Sequence, residues 1–252
     1  MSEFNNQTLT LIDPLRKDEE LLQYGLIVLW EMLEQLTLPM EGHEAEVFTI
    51  LLTVRYSNKP QVSQYANGPS KYIDEVTRQI FEATNTLRDT LASRVEAVFG
   101  LTTLHAALVS FRASPIPPSC SEETKASSYA FGLIALAKFE LRLPAEVLEE
   151  ELPRLKHTLV AALTDASSLV VREAAAAAII AAQVVLRDDA HLFALLDGLA
   201  DDKKNLLTYL FDKHGVRGMT GSGSVDRLER EMRRLDGRTG TPIRPTPARS
   251  SA

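Results

Sequence analysis

Apolar side chains recur every three to four residues along most of this chain, and strict alternation is almost absent, so the elements it predicts are helices. Leu22, Leu26, Leu29, Leu33 and Leu36 share one face of a helix over 18–37, and Val47, Ile50, Leu51 and Val54 share one over 43–57. A third helix is predicted over 70–87, opened by Ser70, with Ile73, Val76, Ile80 and Phe81 inward. A fourth, over 89–112, turns Leu101, Leu104, Leu108 and Phe111 inward and bends at Gly100. Three prolines in 114–119 forbid helix there. Ser119 and Glu122 have the spacing of a capping box that opens a fifth helix, to about 142, with Ala126, Tyr129, Leu133 and Leu136 inward. A sixth runs over 145–164 on Leu148, Leu152, Leu155, Leu159 and Leu163, and a seventh over 167–187 on Val171, Ala174, Ala178, Ala182 and Val185. Two short helices follow over 189–199 and 202–214, the second capped by Asp201 or Asp202. Its Leu206, Leu207, Leu210 and Phe211 are expected to close the end of the stack.

Seven amphipathic helices joined mostly by short connections predict a solenoid of antiparallel pairs. Phe99-Gly100-Leu101-x-x-Leu104 recurs as Phe131-Gly132-Leu133-x-x-Leu136, a weak internal echo. The sharper repeat signal lies in 152–186: a Leu-rich helix ends at Asp165, Val171-Arg172 follows six residues on, and an alanine-rich helix begins. That order is the HEAT-repeat signature. Asp165 is expected to cap the turn, and Arg172 to pair with an aspartate of a neighbouring repeat. The frame gives helix pairs 145–164/167–187, 89–112/121–142 and 43–57/70–87. It leaves 18–37 as a second-type helix whose partner is expected upstream of this chain.

Charge divides the chain. Residues 215–252 hold eight arginines and no lysine against Asp226, Glu229, Glu231 and Asp236, a surplus of four positive charges; the whole chain is at −7, so 1–214 stands at −11. An acidic body repels nucleic acid and anionic membrane at long range, so neither is expected as a partner. The apolar run from Ala174, extended across Gln183 to Leu186, is shorter than a bilayer span. The N-terminus MSEFNNQTLT lacks the pattern of a secretory signal, and the single Cys120 fits a reducing compartment. The expected organisation is a flexible segment 1–17, a solenoid 18–214, and a tail 215–252 made of the linker GMTGSGS, a short charged helix over 225–236 and a disordered Arg/Pro-rich end.

Chemistry-bearing motifs are scarce. His43, His105, His157, His191 and His214 form no metal spacing, and Cys120 has no neighbouring base in sequence. Gly218-x-x-Gly221-x-Gly223 follows no strand and precedes no Gly-Lys-Ser/Thr, so it fails the phosphate-loop pattern. The reading is a non-enzyme without cofactor or metal. Candidate partner-binding residues are Lys203, Lys204, Tyr209 and Lys213 on the last solenoid helix, and Trp30, the lone tryptophan, beside the first leucine stripe.

The stretch 144–214 resembles the C-terminal domain of the CLASP family, the CLIP-associating microtubule proteins. The resemblance rests on the Leu-rich helix, the turn at Asp165-Ala-Ser-Ser, Val171-Arg172 with its small-residue helix, the short acidic helix ending Leu195-Leu196-Asp197, and Lys203-Lys204-Asn205-Leu206-Leu207-Thr208-Tyr209-Leu210. Ala45–Leu51 fits an earlier helix of the same domain, and the Pro-rich 114–119 turn and the arginine tail depart from it. The divergence resembles that of a fungal member. The resemblance implies an all-α, TOG-like HEAT solenoid that recruits partners, CLIP-type plus-end proteins and kinetochore factors among them, and that associates with itself. It implies cytoplasmic and cytoskeletal placement, at the spindle and kinetochores (nuclear in closed mitosis). A TOG-type domain binding tubulin directly is the alternative, and a HEAT adaptor unrelated to microtubules the third. Tubulin-binding TOG edges use basic and aromatic residues in the turns within helix pairs. Here those turns, 57–68, 112–120 and 164–168, offer Lys59, Tyr65 and Arg112, and an acidic body opposes an acidic partner.

Overall fold

The computed structural model describes residues 19–34, 43–57, 70–118, 120–214 and 222–240. These form ten helices and, among the described residues, no strand: α1 (Glu19–Glu34), α2 (Glu44–Ser57), α3 (Ser70–Arg94), α4 (Ala97–Ala113), α5 (Glu122–Glu140), α6 (Ala145–Leu163), α7 (Leu169–Leu186), α8 (Asp189–Leu195), α9 (Asp201–His214) and α10 (Ser222–Gly240). They stack as a HEAT-like solenoid. Helices α2, α4 and α6 form one layer, and α1, α3, α5 and α7 the other, each packed on the next. Across the layers α2 pairs with α3, α4 with α5, and α6 with α7.

Local chemistry sets the ends of these helices. The break expected near residue 88 lies at Val95-Glu96 instead, because the buried Leu87, Leu91 and Ala92 carry the inward stripe of α3 straight through. Glu96 then caps α4, its carboxylate accepting the main-chain N–H groups of Val98 (3.0 Å) and Phe99 (2.7 Å), which holds its pKa low. Helix α5 is opened by Ser121, whose hydroxyl accepts from the Thr124 N–H while the Thr124 hydroxyl faces the Ser121 N–H. The capping role predicted for Ser119 therefore falls two residues on, and Ser119 itself lies outside the described residues, as do 1–18, 58–69 and 241–252.

The centre of the stack is α5 and α7. From Ser128 to Ala137, and from Ala174 to Val184, every residue is buried, so both helices are covered on all sides. Alanine at 174–178 and 181–182 lets α7 sit close to α5. Helix α7 is long and apolar enough to cross a membrane by length and composition, which the shorter apolar run in its sequence did not suggest. It gains that length by including Arg172 and Glu173, and 67% of it is buried inside the stack.

The glycines of the internal echo have a packing role. Gly100 lies inside α4, which runs unbroken over Ala97–Ala113. It lies where the Phe139 ring of α5 presses on α4, and Gly132 lies where the Leu108 side chain of α4 presses on α5. The two motifs are the two halves of one helix crossing, and Phe99, unlike the buried Phe131, is exposed. Gly100→Ala is expected to destabilise the domain by about 1–2 kcal/mol, as overpacking against a fixed ring outweighs the roughly 1 kcal/mol by which alanine favours helix. Urea denaturation decides it, since a gain in stability would mean that Phe139 gives way freely.

Helix α10 departs from the predicted organisation. The charged helix expected over 225–236 as part of a free tail runs Ser222–Gly240, taking in Ser222, Gly223 and Ser224 of the predicted linker, and it packs across α7, α5, α3 and α9. Leu228, Met232 and Leu235 are buried there, with Val225 half-buried against the core. Asp236 accepts two hydrogen bonds from the Arg88 guanidinium, at 2.6 and 2.8 Å. Arg88 is 1% exposed and also donates to Asp89 (2.7 and 2.8 Å), which in turn meets Lys138 at 3.1 Å. Burial opposes the Arg88 charge, but the two aspartates outweigh it and hold its pKa above the ordinary value. A second buried guanidinium, Arg55, stacks between the rings of Phe81 and Phe131, each 4.4 Å away, with Arg88 on Phe131 at 5.0 Å. Arg55 donates to Thr84 (3.0 Å) and Asn85 (3.1 Å); burial, then the charge of Arg88, pushes its pKa down to about 9.

Candidate functional site

Two surfaces compete for a protein partner. The first is the edge where the turns within helix pairs cluster. There Asp165 receives the N–H groups of Ser167 (2.9 Å) and Ser168 (2.9 Å) and the Ser167 hydroxyl (2.7 Å), which fixes the α6–α7 turn. Burial pushes its pKa up, but these hydrogen bonds and Arg112 prevail and hold it low. Arg172 does not reach a neighbouring repeat: its guanidinium donates to the Asp165 main-chain carbonyl at 2.7 Å, closing its own turn. The link between repeats comes from Arg112, 3.3 Å from Asp165 and 5.0 Å over the Tyr129 ring. Val171 is buried beneath them. Beside this cluster Arg112, Pro115, Ile116, Lys125, Tyr129 and Asp165 line a cavity of about 500 Å³. Its second cation is occupied as well, because the Lys125 ammonium donates to the carbonyls of Arg112 (2.9 Å) and Ser114. Lys59 and Tyr65 lie outside the described residues.

The second surface is the last repeat. Leu207 and Phe211 anchor α9, with the Phe211 ring stacked on Phe193 at 6.0 Å. Leu210 is half-buried, but Leu206, expected inward with them, is 44% exposed, because the helix turns only 207, 211 and 214 squarely toward α7 and α10. Tyr209 is 63% exposed and Lys213, one turn on, is exposed on the same side. Lys203 and Lys204 lie at the other end of α9, where they pair with Asp202 (3.3 Å) and Asp201 (3.7 Å) of its first turn. The structure thus brings Tyr209 and Lys213 together and leaves Lys203 and Lys204 apart from them. Trp30 is on α1, at the opposite end of the stack, half-buried against the core.

One exposed cation, Arg227, lies on α10, outside the predicted solenoid. His214, buried where α9 meets α10, has its pKa lowered by burial first; Glu231 pulls the other way, and Lys213 and Arg227 lower it further. Helix α10, which carries Arg227, packs against α9, which carries Lys213. The signal that locates Arg227 is the spacing of Leu228, Met232 and Leu235 (i, i+4, i+7), an apolar stripe that requires a surface to cover it. Among the described residues no group of three histidine, cysteine, aspartate or glutamate side chains could hold a metal ion. Cys120 is half-buried and its thiol points at the Tyr56 carbonyl, 3.7 Å away.

No family model matches the chain. Over 221 residues it is 28% identical to Protein STU1 of Cryptococcus neoformans var. neoformans serotype D, both in strain B-3501A and in strain JEC21 / ATCC MYA-565. The match takes in 84% of this chain and 18% of the relative, so the chain spans less than a fifth of the length of the curated relatives it matches.

Proposed function

We propose that this chain is a non-enzymatic protein-docking domain of a CLASP-type microtubule-associated protein, and that it also associates with a second copy of itself. Similarity along most of the chain to Protein STU1, a CLASP-family protein, supports a microtubule-related, cytoskeletal role over an enzymatic one. One observation favours docking over direct tubulin capture: the cations described on the turn edge are already engaged, Arg112 by Asp165 and Tyr129, Lys125 by main-chain carbonyls. An acidic partner would have to break those contacts while approaching a body that is itself acidic. The reading assigns the domain to recruitment: it brings a longer microtubule-stabilising chain to CLIP-type plus-end proteins and kinetochore factors at the spindle, and contributes surface complementarity rather than chemistry.

Light scattering of the eluting full chain, alone and with excess αβ-tubulin, tests this. The expected mass alone is twice 27.9 kDa, with no shift on adding tubulin. A monomer that co-elutes with tubulin overturns the reading in favour of a TOG-type domain. A monomer with no shift removes self-association and leaves recruitment.

A further inference from the structure

We propose that the corner formed by the exposed face of α9 and the start of α10 (Leu206, Tyr209, Lys213, Arg227 and Arg230) binds an acidic, extended segment of a partner protein. The proposal rests on the docking reading and gives it a surface and a partner chemistry. Leu206, Tyr209 and Lys213 follow the i, i+3, i+7 spacing of one helix face, and Leu206 and Tyr209 are two of the few large apolar or aromatic side chains exposed among the described residues. Arg227 and Arg230, one turn apart, are exposed on α10, which packs against α9. Lys213 adjoins the buried His214 at the end of α9, and α10, which carries Arg227, packs against that helix.

Charge decides the occupant. Five cations elsewhere on the body are paired within the chain: Arg78 with Glu82, Arg112 with Asp165, Lys138 with Asp89, Arg154 with Glu151 and Lys156 with Asp197. At the corner, Lys213 and Arg227 have no carboxylate partner among the described residues, and Arg230 donates only to the main-chain carbonyl of Asp226, at 3.2 Å. The nearby carboxylates Glu229 and Glu231 are engaged by Arg233 (3.5 Å) and Arg234, while Asp226 and Asp212 are exposed beside these cations. An acidic peptide gains from such cations, and Leu206 and Tyr209 supply the apolar contact that fixes its register. A nucleic acid is disfavoured, because a long polyanion would be laid against the −11 body on either side.

The test is fluorescence anisotropy of a fluorescein-labelled glutamate-rich peptide titrated with the full chain. Saturable binding that weakens with salt is expected. Lys213→Glu with Arg227→Glu should weaken it by about tenfold or more, and Tyr209→Ser by about threefold, with unchanged circular dichroism because all three side chains are exposed. Arg154→Glu, on the far layer and exposed, should leave it unchanged. Absence of saturable binding, an equal loss with Arg154→Glu, or tighter binding of a single-stranded oligonucleotide of the same charge overturns the inference. Those outcomes are independent of the mass and tubulin measurements, so failure here leaves the docking reading to stand or fall on its own test.

Discussion

Asp236→Ala is expected to destabilise the folded chain by about 3 kcal/mol, and a chain ending at His214 by more. The aspartate takes two hydrogen bonds from Arg88, a guanidinium only 1% exposed. Removing one member of a buried pair costs roughly 3–5 kcal/mol, because the other charge stays desolvated without its partner. Asp89 remains to share the Arg88 charge, which places the effect at the low end of that range. Ending the chain at His214 also uncovers the footprint of Leu228, Met232 and Leu235 on α7, α5 and α3. Each such side chain contributes roughly 1.5–3 kcal/mol when buried, less the entropy of ordering the helix. Urea denaturation of the three chains measures this. Replacing the pair together, Arg88→Met with Asp236→Leu, should recover most of the loss, since an apolar pair of similar size leaves no charge unmatched. A chain ending at His214 that matched the full chain in urea midpoint would show α10 to be an appendage rather than part of the core.

The second large effect is a pH dependence. Glu140, at the end of α5, is fully buried, and neither carboxylate oxygen has a hydrogen-bond partner. Burial pushes its pKa from 4.5 up to about 8, so the folded chain holds the acid neutral through physiological pH. The unfolded chain ionises near 4.5, and between that value and about 8 the native state binds the extra proton. Stability from this group is therefore fully present below pH 4.5, is lost as pH rises toward 8, and is constant above it, with a slope of at most about 1.4 kcal/mol per pH unit. His105 and His214 act in the opposite sense, because burial lowers their pKa and folding releases their protons on the acid side. The Glu140 contribution is thus read from the difference between the native chain and Glu140→Gln. Urea midpoints across pH 5 to 9 should show the variant gaining on the native chain up to about pH 8 and then holding its lead. A constant difference across that range would mean that the carboxyl finds solvent or a cation.

Helix-period spacing in one dimension set much of this protein. Leu148, Leu152, Leu155 and Leu159, at turn-length intervals, need a covered face whatever covers it, so α6 and its inward side follow from spacing alone. The same holds for Leu101, Leu104, Leu108 and Phe111 on α4, and for the alanines of α7, whose small volume implies a close neighbour. The HEAT-like pairing follows because such helices, joined by short turns, have few other ways to bury one stripe each. Spacing does not say which charges are matched. Arg88 and Asp236 are 148 positions apart, and each is an ordinary surface residue until α10 folds back over α3. Asp236 therefore counted toward a free tail, although the stripe at 228, 232 and 235 beside it already required a partner surface. Arg112 takes the role expected of Arg172 for the same reason: which arginine crosses to Asp165 depends on how adjacent repeats pack, and spacing within one helix does not carry that information. The candidate site divides in the same way. The sequence by itself placed Tyr209 and Lys213 on one helix face, because a helix fixes residues four apart. Only the tertiary structure laid α10, with Arg227, against α9, because neighbours on different helices are decided by packing and not by position in the chain.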